Sequence, residues 1–328
     1  MLPSEIRHLT TLEHLQIDNN LALGGSLPTS IRHLIHLRSL SLKNCSIGGT
    51  LPTWLGELTQ LRELMLSDNQ LRGPIPSEFE HLTNLYRLSF KGNLLSSQLE
   101  SLSPLSNLQF LHLQDNLLHG RLLDSMVTNW KKLTEIDLSE NQLSGNLPRS
   151  LFTHATLQLI DIHDNRFTGT IPSLHAPNIV LTSIRLSSNE LEGTIPPSIS
   201  QLLAVQTLDV NSNILTGTLP ETLSGMSNLT VVRVGDNDYT PHSFPKSLLR
   251  LSNLRKLSLY RSGLTGSLPD SIGFLSHLQY LDLSENSLRG SLPDTLGYLS
   301  TLRHLSLRNN LLTGSLPDSI KNWIDLGT

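Results

Sequence analysis

The sequence predicts a solenoid built from stacked copies of one short β-strand unit, and three observations support this prediction. A segment such as 278–294, LQYLDLSENSLRGSLPD, recurs along the chain, and its copies begin 23 to 25 residues apart. Each copy contains an alternating run of apolar and polar residues, followed at a fixed distance by Asn in most copies. A period this steady indicates units that each pack only on their neighbours. The thirteen copies begin at Leu12, Leu37, Leu61, Leu85, Leu108, Leu133, Leu157, Leu181, Val205, Leu229, Leu254, Leu278 and Leu302.

The first element of each repeat is predicted to be a strand with one buried face. Numbered from its first leucine, a repeat has apolar residues at positions 1, 4, 6, 11 and 15, and positions 3 to 7 alternate between polar and apolar. Because a strand has a two-residue period, Leu281 and Leu283 are expected to point inward, while Tyr280, Asp282 and Ser284 point outward. Strands of neighbouring repeats then lie about 4.8 Å apart in one long parallel sheet. The returning segment is wider than a strand, so this sheet is expected to be concave.

The second element is a return segment held by a ladder of asparagines. Position 9 is Asn in eleven of the thirteen repeats. An amide both donates and accepts hydrogen bonds, so these side chains are expected to pair with loop backbone groups along the stack. Cys45 and Ser262 replace Asn in the other two repeats. Cys45 is therefore expected to be a buried member of the ladder rather than a reactive thiol.

The length and the two ends of the chain predict its organisation. All 328 residues are expected to form a single domain, 1–328, of about thirteen 24-residue repeats, because a solenoid core grows along one axis. Leu2-Pro3 matches the Leu-Pro late in each repeat, and Leu326 falls where a fourteenth repeat would begin. The partial repeats at both ends indicate a section of a longer protein.

Composition argues against several classes of partner. Charged residues make up 16% of the chain and the net charge is −4, which disfavours nucleic acid and anionic lipid. The single cysteine excludes an internal disulfide. No apolar run reaches the roughly 18 residues of a membrane span, and the first residues do not form a signal peptide. No membrane contact is expected within this segment.

The repeat pattern, LxxLxLxxNxLxGx[IL]P, resembles the plant-type leucine-rich repeat, which also occurs in diatoms. The resemblance covers essentially the whole chain. It implies a curved, twisted α/β solenoid, with a long parallel concave sheet and a convex side of irregular, 3-10 and short helical segments. Receptor-like kinases, receptor-like proteins and polygalacturonase inhibitors are of this type, and their concave side commonly meets a peptide or protein. Family ectodomains usually have cysteine-paired caps and many glycosylation sequons; this chain lacks such caps, and its two candidate sites are Asn44 and Asn228.

The concave face is predicted to present a polar patch in its middle repeats. Opposite charges on neighbouring strands can pair there, whereas Asp137 beside Asp161 should raise the apparent pKa of that pair. Both a solvated, internally neutralised face and a recognition patch fit this pattern. If the patch binds a partner, reversing the charges of Asp161 and Arg185 should weaken binding and leave stability nearly unchanged. The patch comprises His112, Asp137, Asp161, Arg185, Asp209 and Arg233 at position 5, His163 at position 7, and Phe110 and Glu135 at position 3.

A second predicted patch lies near the end of the array and is rich in aromatic and basic residues. Tyr and Arg are common anchors of protein interfaces, although exposed aromatics also occur on inert sheets. The patch residues on consecutive predicted strands are Lys256, Tyr260, Arg261, Tyr280, His304 and Arg308, and Asp282 at position 5 is also predicted to contact the partner.

The sequence offers no chemistry for catalysis or for a cofactor. It contains no GxSxG, HExxH, Walker or GxGxxG motif, and Asp137 and Asp161 lie on an open sheet without apolar enclosure. His112 and His163 beside these aspartates could ligate a cation, but the repeat produces this spacing automatically, so no metal is predicted.

These features predict a noncatalytic module that binds a protein or peptide on its concave face, similar to the ligand-sensing part of a receptor-like protein. Extracellular or cell-surface placement is expected, with a cytoplasmic location as the alternative. Two other functions stay open: an intracellular scaffold for a signalling protein, and a secreted inhibitor of a polysaccharide-degrading enzyme. Ice or mineral binding would need a regular array of Thr or Ser, which position 14 provides only in part.

Overall fold

Thirteen three-residue strands recur at the repeat period in the computed structural model, which describes residues 3–175 and 179–322. Contacts between Cα atoms group the chain into two compact units, Met1–Phe167 and Thr168–Thr328. Seven of these strands lie in the first unit and six in the second. The expected single domain over 1–328 stays a prediction. Leu2 and Leu326, on which the expected partial repeats rest, lie outside the described residues.

The strands of each unit pair in parallel and in register. In the first unit, Glu135 lies opposite Phe110 on one side and Leu159 on the other. In the second, Lys256 lies opposite Val231 and Tyr280. The strands of the first unit are His14–Gln16, Ser39–Ser41, Glu63–Met65, Arg87–Ser89, Phe110–His112, Glu135–Asp137 and Leu159–Asp161. Those of the second are Ser183–Arg185, Thr207–Asp209, Val231–Arg233, Lys256–Ser258, Tyr280–Asp282 and His304–Ser306.

Each strand covers positions 3 to 5, which is shorter than the predicted 3 to 7. The cause is position 8, where φ is positive in all thirteen repeats, as in Asp68 (56°) and Glu140 (54°). This left-handed conformation turns the chain out of the extended region. Hydrogen bonds to the next repeat nevertheless continue through the turn, since the backbone N–H of Asn44 donates to the Ser67 carbonyl at 2.9 Å.

The alternation of buried and solvent-facing residues along the strands is confirmed. Leu278, Leu281 and Leu283 are completely buried, whereas Tyr280 and Asp282 are half-buried. Stacked leucines of this kind form the core, and their burial is the main stabilising contribution in such an array.

The return side consists mainly of 3-10 helices, most of which follow a Leu-Pro or Ile-Pro pair late in the repeat. Proline has a fixed φ and no N–H, but its carbonyl accepts the first bond of the turn, as Pro28 does from Ile31 N–H at 3.1 Å. Within residues 3–175 and 179–322 the 3-10 helices are Ser4–His8, Thr29–His33, Thr53–Glu57, Ser77–His81, Glu100–Leu102, Pro197–Gln201, Glu221–Gly225, Leu248–Arg250, Asp270–Phe274, Asp294–Tyr298 and Asp318–Asn322. The short α-helices are Asp124–Asn129 and Ser150–Thr153.

Short parallel strands also form beyond the asparagine ladder, between the exposed face and the return side. They are Gly48–Thr50, Gln70–Gly73, Leu94–Leu95, His119–Arg121, Gln142–Asn146, Arg166–Thr170, Glu190–Gly193, Ile214–Leu215, Thr265–Gly266, Ser287–Gly290 and Leu311–Leu312. The return side of irregular, 3-10 and short helical segments, which the family resemblance implies, is confirmed.

The predicted asparagine ladder is present. The Asn93 amide group donates to the carbonyls of Phe90 (2.9 Å) and Leu66 (3.0 Å), and its oxygen accepts from the Leu71 backbone N–H at 3.0 Å. One side chain therefore ties its own loop to the preceding repeat. Cys45 is buried in the same column, with its thiol 2.9 Å from the Ile17 carbonyl oxygen, which confirms its place in the ladder.

Replacing Asn93 with Ala should lower the free energy of unfolding by about 1–3 kcal/mol, because buried backbone groups lose their partners. The matched control is Asn84→Ala at an exposed edge, where the amide donates only to the Thr59 carbonyl at 2.9 Å. This control should cost less than about 0.5 kcal/mol. Urea denaturation followed by circular dichroism measures both, and equal losses would contradict the role of the ladder.

Candidate ligand-binding site

The solvent-facing side chains of the strands, at positions 3, 5 and 7 of the repeats, form the exposed sheet face of each unit. In the first unit Asp137 lies opposite His112 and Asp161 in the neighbouring strands, and Glu135 lies opposite Phe110. His163 follows Asp161 by two residues on the same face. The structure therefore brings together the residues that the sequence selected in repeats five to seven.

Two aspartates on this face are more buried than expected. The exposed fraction is 3% for Asp161 and 5% for Asp209, so the predicted exposure of position 5 is wrong for both. Strands are only about 4.8 Å apart, and longer side chains lie over these carboxylates: the His163 imidazole on Asp161 and the Arg233 guanidinium on Asp209. Reversing the charge of Asp161 is consequently expected to destabilise the fold, which corrects the sequence-based expectation.

The Asp137 carboxyl has a raised pKa, as predicted. Burial is the main cause, and the Asp161 carboxylate in the next strand adds to the rise. Hydrogen bonds from the Ser139 hydroxyl (2.7 Å) and backbone N–H (3.1 Å) act in the opposite direction. The direction of the prediction is confirmed for Asp137, but desolvation rather than mutual repulsion dominates.

The His163 imidazole lies among three carboxylates of the first unit. Its Nδ1 is 2.5 Å from Asp161 Oδ1, and its Nε2 is 3.7 Å from Asp164 Oδ2 and 3.9 Å from Glu140 Oε1. The hydrogen bond with Asp161 raises the pKa of His163, and the surrounding negative charges add to this, while burial opposes it. The sequence analysis missed Glu140 and Asp164 because it considered only strand positions, and both residues sit in the loop after the strand.

This arrangement predicts a pH-dependent contribution to stability. A histidine whose folded pKa lies above its ordinary value of 6.5 stabilises the fold fully below pH 6.5, and this contribution is lost as the pH rises through the raised pKa. His163→Gln should therefore lower the free energy of unfolding more at about pH 6 than at about pH 9. Chemical denaturation at the two pH values tests this, and a loss that does not depend on pH would contradict it.

The remaining predicted residues of the first unit contact one another at the edge of the same face. His112 Nε2 lies 3.3 Å from Glu135 Oε2. The guanidinium carbon of Arg87 lies 4.2 Å from the centre of the Phe110 ring, a cation–π distance. Arg87, at position 3 of repeat four, extends the patch by one strand beyond the residues that the sequence analysis selected.

In the second unit the alternating charges pair as expected. Asp209 lies between Arg185 and Arg233 in register, and Arg233 Nη1 is 3.0 Å from Asp209 Oδ2. Arg185 is exposed at the first strand of this unit. The charge of Asp209 is thus balanced by Arg233, whose side chain is half-buried.

A pocket of about 300 Å³ opens on the exposed sheet face of the second unit. It includes Lys256, Tyr260 and Tyr280 of the second predicted patch together with Arg233, and we name it the Tyr260–Tyr280 pocket. Its lining residues come from four consecutive repeats and are Asn211, Arg233, Lys256, Ser258, Tyr260, Tyr280 and Asp282.

Both tyrosines of the pocket are held by neighbouring groups. The Tyr260 hydroxyl lies 3.3 Å from Ser212 Oγ, and the Tyr280 hydroxyl donates to Asp282 Oδ2 at 3.5 Å. The Tyr280 ring stacks on the His304 imidazole with ring centres 4.3 Å apart and planes 5° from parallel. Partial burial raises the pKa of both phenols, so they remain neutral hydrogen-bonding groups at physiological pH.

Gly235 makes room for Tyr260. A Cβ atom added at Gly235 would lie 2.4 Å from the Tyr260 carbonyl oxygen and 2.8 Å from its ring carbon Cδ1. Both residues occupy position 7 of their repeats, and a side chain at 235 would push the backbone of repeat eleven away. The sequence analysis missed this glycine because position 7 accepts many residue types elsewhere in the array.

Two groups in the pocket retain unused binding capacity. Within residues 3–175 and 179–322, Lys256 forms no ion pair within 4.0 Å, and it is exposed. Asn211 Oδ1 is buried and accepts no hydrogen bond from the described part of the protein. An unsatisfied buried acceptor is costly. Rotation of the Asn211 amide toward a ligand N–H or O–H, together with an anionic ligand group near Lys256, would satisfy both residues.

Neither a metal site nor a membrane span is found in the described ranges. No group of three His, Cys, Asp or Glu side chains there is placed to hold a metal ion. No helix within them has the length and apolarity needed to cross a bilayer.

Comparison with family models identifies the repeat independently of this geometry. Residues 1–176 match the model described as "Leucine-rich repeat region". Residues 245–312 match "Leucine rich repeat", and residues 180–202 and 204–226 match "Leucine Rich Repeat".

Plant receptors are among the relatives and solved structures that this chain resembles. Receptor-like protein 43 of Arabidopsis thaliana is 39% identical over 67 residues, which is 20% of this chain and 9% of that protein. The crystal structure of PEPR1-AtPEP1 has a TM-score of 0.90 and 32% identity, and the match covers 99% of this chain and 45% of that chain.

The ectodomain of the Arabidopsis receptor kinase HAESA, in complex with an IDA peptide hormone, has a TM-score of 0.81 and 28% identity over 99% of this chain and 58% of that chain. The chain thus spans about half the length of these solved ectodomains. Because one family model covers residues 1–176 of 328, the chain belongs to the leucine-rich repeat family.

Proposed function

We propose that this chain is a noncatalytic binding module that holds a peptide or protein segment on its exposed sheet face. The observation that carries the proposal is the Tyr260–Tyr280 pocket, where, among residues 3–175 and 179–322, Lys256 has no ion-pair partner and Asn211 Oδ1 is buried without a hydrogen-bond donor. Tyrosines supply large contact area at low conformational cost and are enriched at binding hot spots.

The proposed occupant of the pocket carries an acidic group. Arg233 and Lys256 contribute two positive charges to the lining and Asp282 contributes one negative charge. The Asp282 carboxylate accepts hydrogen bonds from the Ser284 hydroxyl at 2.6 Å and backbone N–H at 3.0 Å. Arg233 is paired with Asp209, so Lys256 is the cation proposed to meet the acidic group of the ligand. A carboxylate near Lys256 with an adjacent amide N–H toward Asn211 fits this arrangement, and a peptide provides both groups.

The proposed contacts extend beyond the pocket to the patches selected from the sequence. Asp161 and Asp209 contribute by positioning the side chains that cover them, while the other residues contact the partner directly. In the first unit the proposed residues are Phe110, His112, Glu135, Asp137, Asp161 and His163; in the second they are Arg185, Asp209, Arg233, Lys256, Tyr260, Tyr280, Asp282 and His304.

Similarity to plant receptor ectodomains supports both the class of ligand and the location. The HAESA ectodomain is in complex with an IDA peptide hormone, and we extend peptide binding and cell-surface placement to this chain as proposals. The scaffold and inhibitor alternatives differ in compartment and partner. A full-length reading frame with a signal peptide and a membrane segment would exclude the scaffold.

A phage-displayed random peptide library panned against the immobilised chain tests the proposal. Enriched peptides are expected to contain Asp or Glu and to lose binding to a Lys256→Glu variant. Arg303→Glu is the matched control, because it makes the same charge change at an exposed residue that does not line the pocket. Enriched peptides that lack acidic residues, or that bind Lys256→Glu as well as the wild type, would refute it.

A further inference from the structure

A second cavity of the second unit, about 290 Å³, is a polar groove along the edge of the sheet where the strands begin. Its walls are two columns of side chains, which lie immediately before and immediately after the first apolar residue of successive repeats. We name it the edge groove. Its lining residues are Asn228, Asn253 and His277 in the first column, and Gln206, Thr230 and Arg255 in the second.

The first column is fixed by hydrogen bonds to the preceding repeat. Asn228 and Asn253 donate to the carbonyls of Leu203 and Ser227, each at 2.9 Å. His277 Nδ1 lies 3.0 Å from the Ser252 carbonyl oxygen. Because a carbonyl only accepts, Nδ1 carries the proton, and Nε2 of the neutral ring is left as an acceptor. The groove therefore presents an ordered set of donors and acceptors.

Asn228 lines the groove and is also the first residue of Asn-Leu-Thr, the sequence pattern in which Asn accepts an N-linked glycan. It is exposed on a turn, and its amide uses one hydrogen for the Leu203 carbonyl. The other candidate, Asn44, is half-buried beside the ladder and has a left-handed backbone. Its amide donates to Asn19 Oδ1 at 3.1 Å.

We propose that Asn228 carries an N-linked glycan whose innermost sugars lie in the edge groove. A lipid diphosphate-linked oligosaccharide is the donor: a bond forms from its sugar C1 to Asn228 Nδ2, the C1–O bond to the diphosphate breaks, and Nδ2 gives up one proton. The second hydrogen of Nδ2 remains, so the bond to the Leu203 carbonyl persists. The proposal rests on the proposed cell-surface placement, but it does not depend on peptide binding.

The chemistry of the groove suits a tethered sugar better than a free one. Asn253 and Gln206 both donate and accept, Arg255 offers several donors, and His277 Nε2 accepts, which matches sugar hydroxyl and acetamido groups. Exposed polar contacts bind a free saccharide weakly. Covalent attachment at Asn228 raises the local sugar concentration to the order of mM, so a weakly binding groove becomes occupied.

The test is secretion of the chain, behind a host signal peptide, from mammalian cells that add only high-mannose glycans. Mass spectrometry of the peptide containing Asn228 measures occupancy, and peptide-N-glycosidase treatment of the folded protein measures how accessible the glycan is. We expect Asn228 to be modified, and we expect its glycan to be released severalfold faster from Arg255→Ala and from His277→Ala than from the wild type. Release after denaturation should be equal in all of them.

The matched control is Arg303→Ala, since Arg303 occupies the same repeat position as Arg255 but lies outside the groove. It should release the glycan at the wild-type rate. Arg255 and His277 are exposed, so these substitutions are expected to leave the fold intact. An unmodified Asn228, or wild-type release rates in both groove variants, would overturn the inference, and neither result bears on peptide binding in the Tyr260–Tyr280 pocket.

Discussion

Lys256→Glu is expected to weaken the binding of acidic peptides selected from the library by at least about tenfold, or 1.4 kcal/mol. The substitution places a carboxylate where Lys256 now faces the pocket without an ion-pair partner in the described ranges, so the ligand's acidic group meets a like charge. Isothermal titration calorimetry with one selected peptide measures the change. A peptide with Lys in place of its acidic residue should in turn bind the variant better than it binds the wild type.

The control for this prediction separates local from general electrostatics. Arg303→Glu changes the net charge equally at an exposed residue outside the pocket lining. It should leave the affinity within about twofold, because salt screens exposed charges that do not contact the ligand. Gly235→Ala should also weaken peptide binding, by a different cause, since its Cβ would displace Tyr260. Equal weakening by Lys256→Glu and Arg303→Glu would contradict a specific role for the pocket.

Trp130→Ala should lower the free energy of unfolding by about 3–5 kcal/mol, the largest stability change expected for this chain. Trp130 is completely buried in the return segment of repeat five, and its Nε1–H donates to the Leu102 carbonyl at 2.9 Å. Removing the indole leaves a large cavity and an unpaired carbonyl. Urea denaturation followed by circular dichroism measures the loss, and a value below about 1 kcal/mol would contradict this packing.

Trp130→Phe divides that loss into its two parts. The phenyl ring retains most of the apolar contact but cannot donate to the Leu102 carbonyl, so a loss of about 1–3 kcal/mol is expected. Under native conditions the selected acidic peptides should bind both Trp130 variants as tightly as the wild type, since Trp130 lies in the first unit and the pocket lies in the second.

The sequence predicted the strands and the ladder because both follow from periodicity. The burial of Leu281 and Leu283 follows from a two-residue period, and the role of Asn93 from an amide placed between apolar positions. The left-handed residue at position 8 was not predicted. Asn, Asp or Gly, which adopt positive φ more readily than other residues, occupies eight of the thirteen positions. The other five are Glu, Ser or Arg, so the residue type marks the turn only in part.

The part of the candidate site that depends on strand register was predictable from the sequence. Lys256, Tyr260 and Tyr280 share one pocket because their repeats lie in register. Comparing equivalent repeat positions in the sequence is enough to find them. Asn211 was missed because its importance depends on an unsatisfied oxygen. Gly235 was missed because its importance depends on backbone packing across repeats, where an added Cβ would lie 2.4 Å from the Tyr260 carbonyl oxygen. The burial of Asp161 and Asp209 was missed because it depends on which neighbouring side chain lies over each carboxylate.

A double-mutant cycle on Tyr260 and Tyr280 tests most directly whether side chains of successive repeats act as one recognition surface. Calorimetry would give the affinity of one selected acidic peptide for the wild type, for Tyr260→Ala, for Tyr280→Ala and for the double variant. If both rings contact the same ligand group, the two losses should be coupled by at least about 0.5 kcal/mol. Losses that add to within about 0.3 kcal/mol, or no loss in either single variant, would contradict the account.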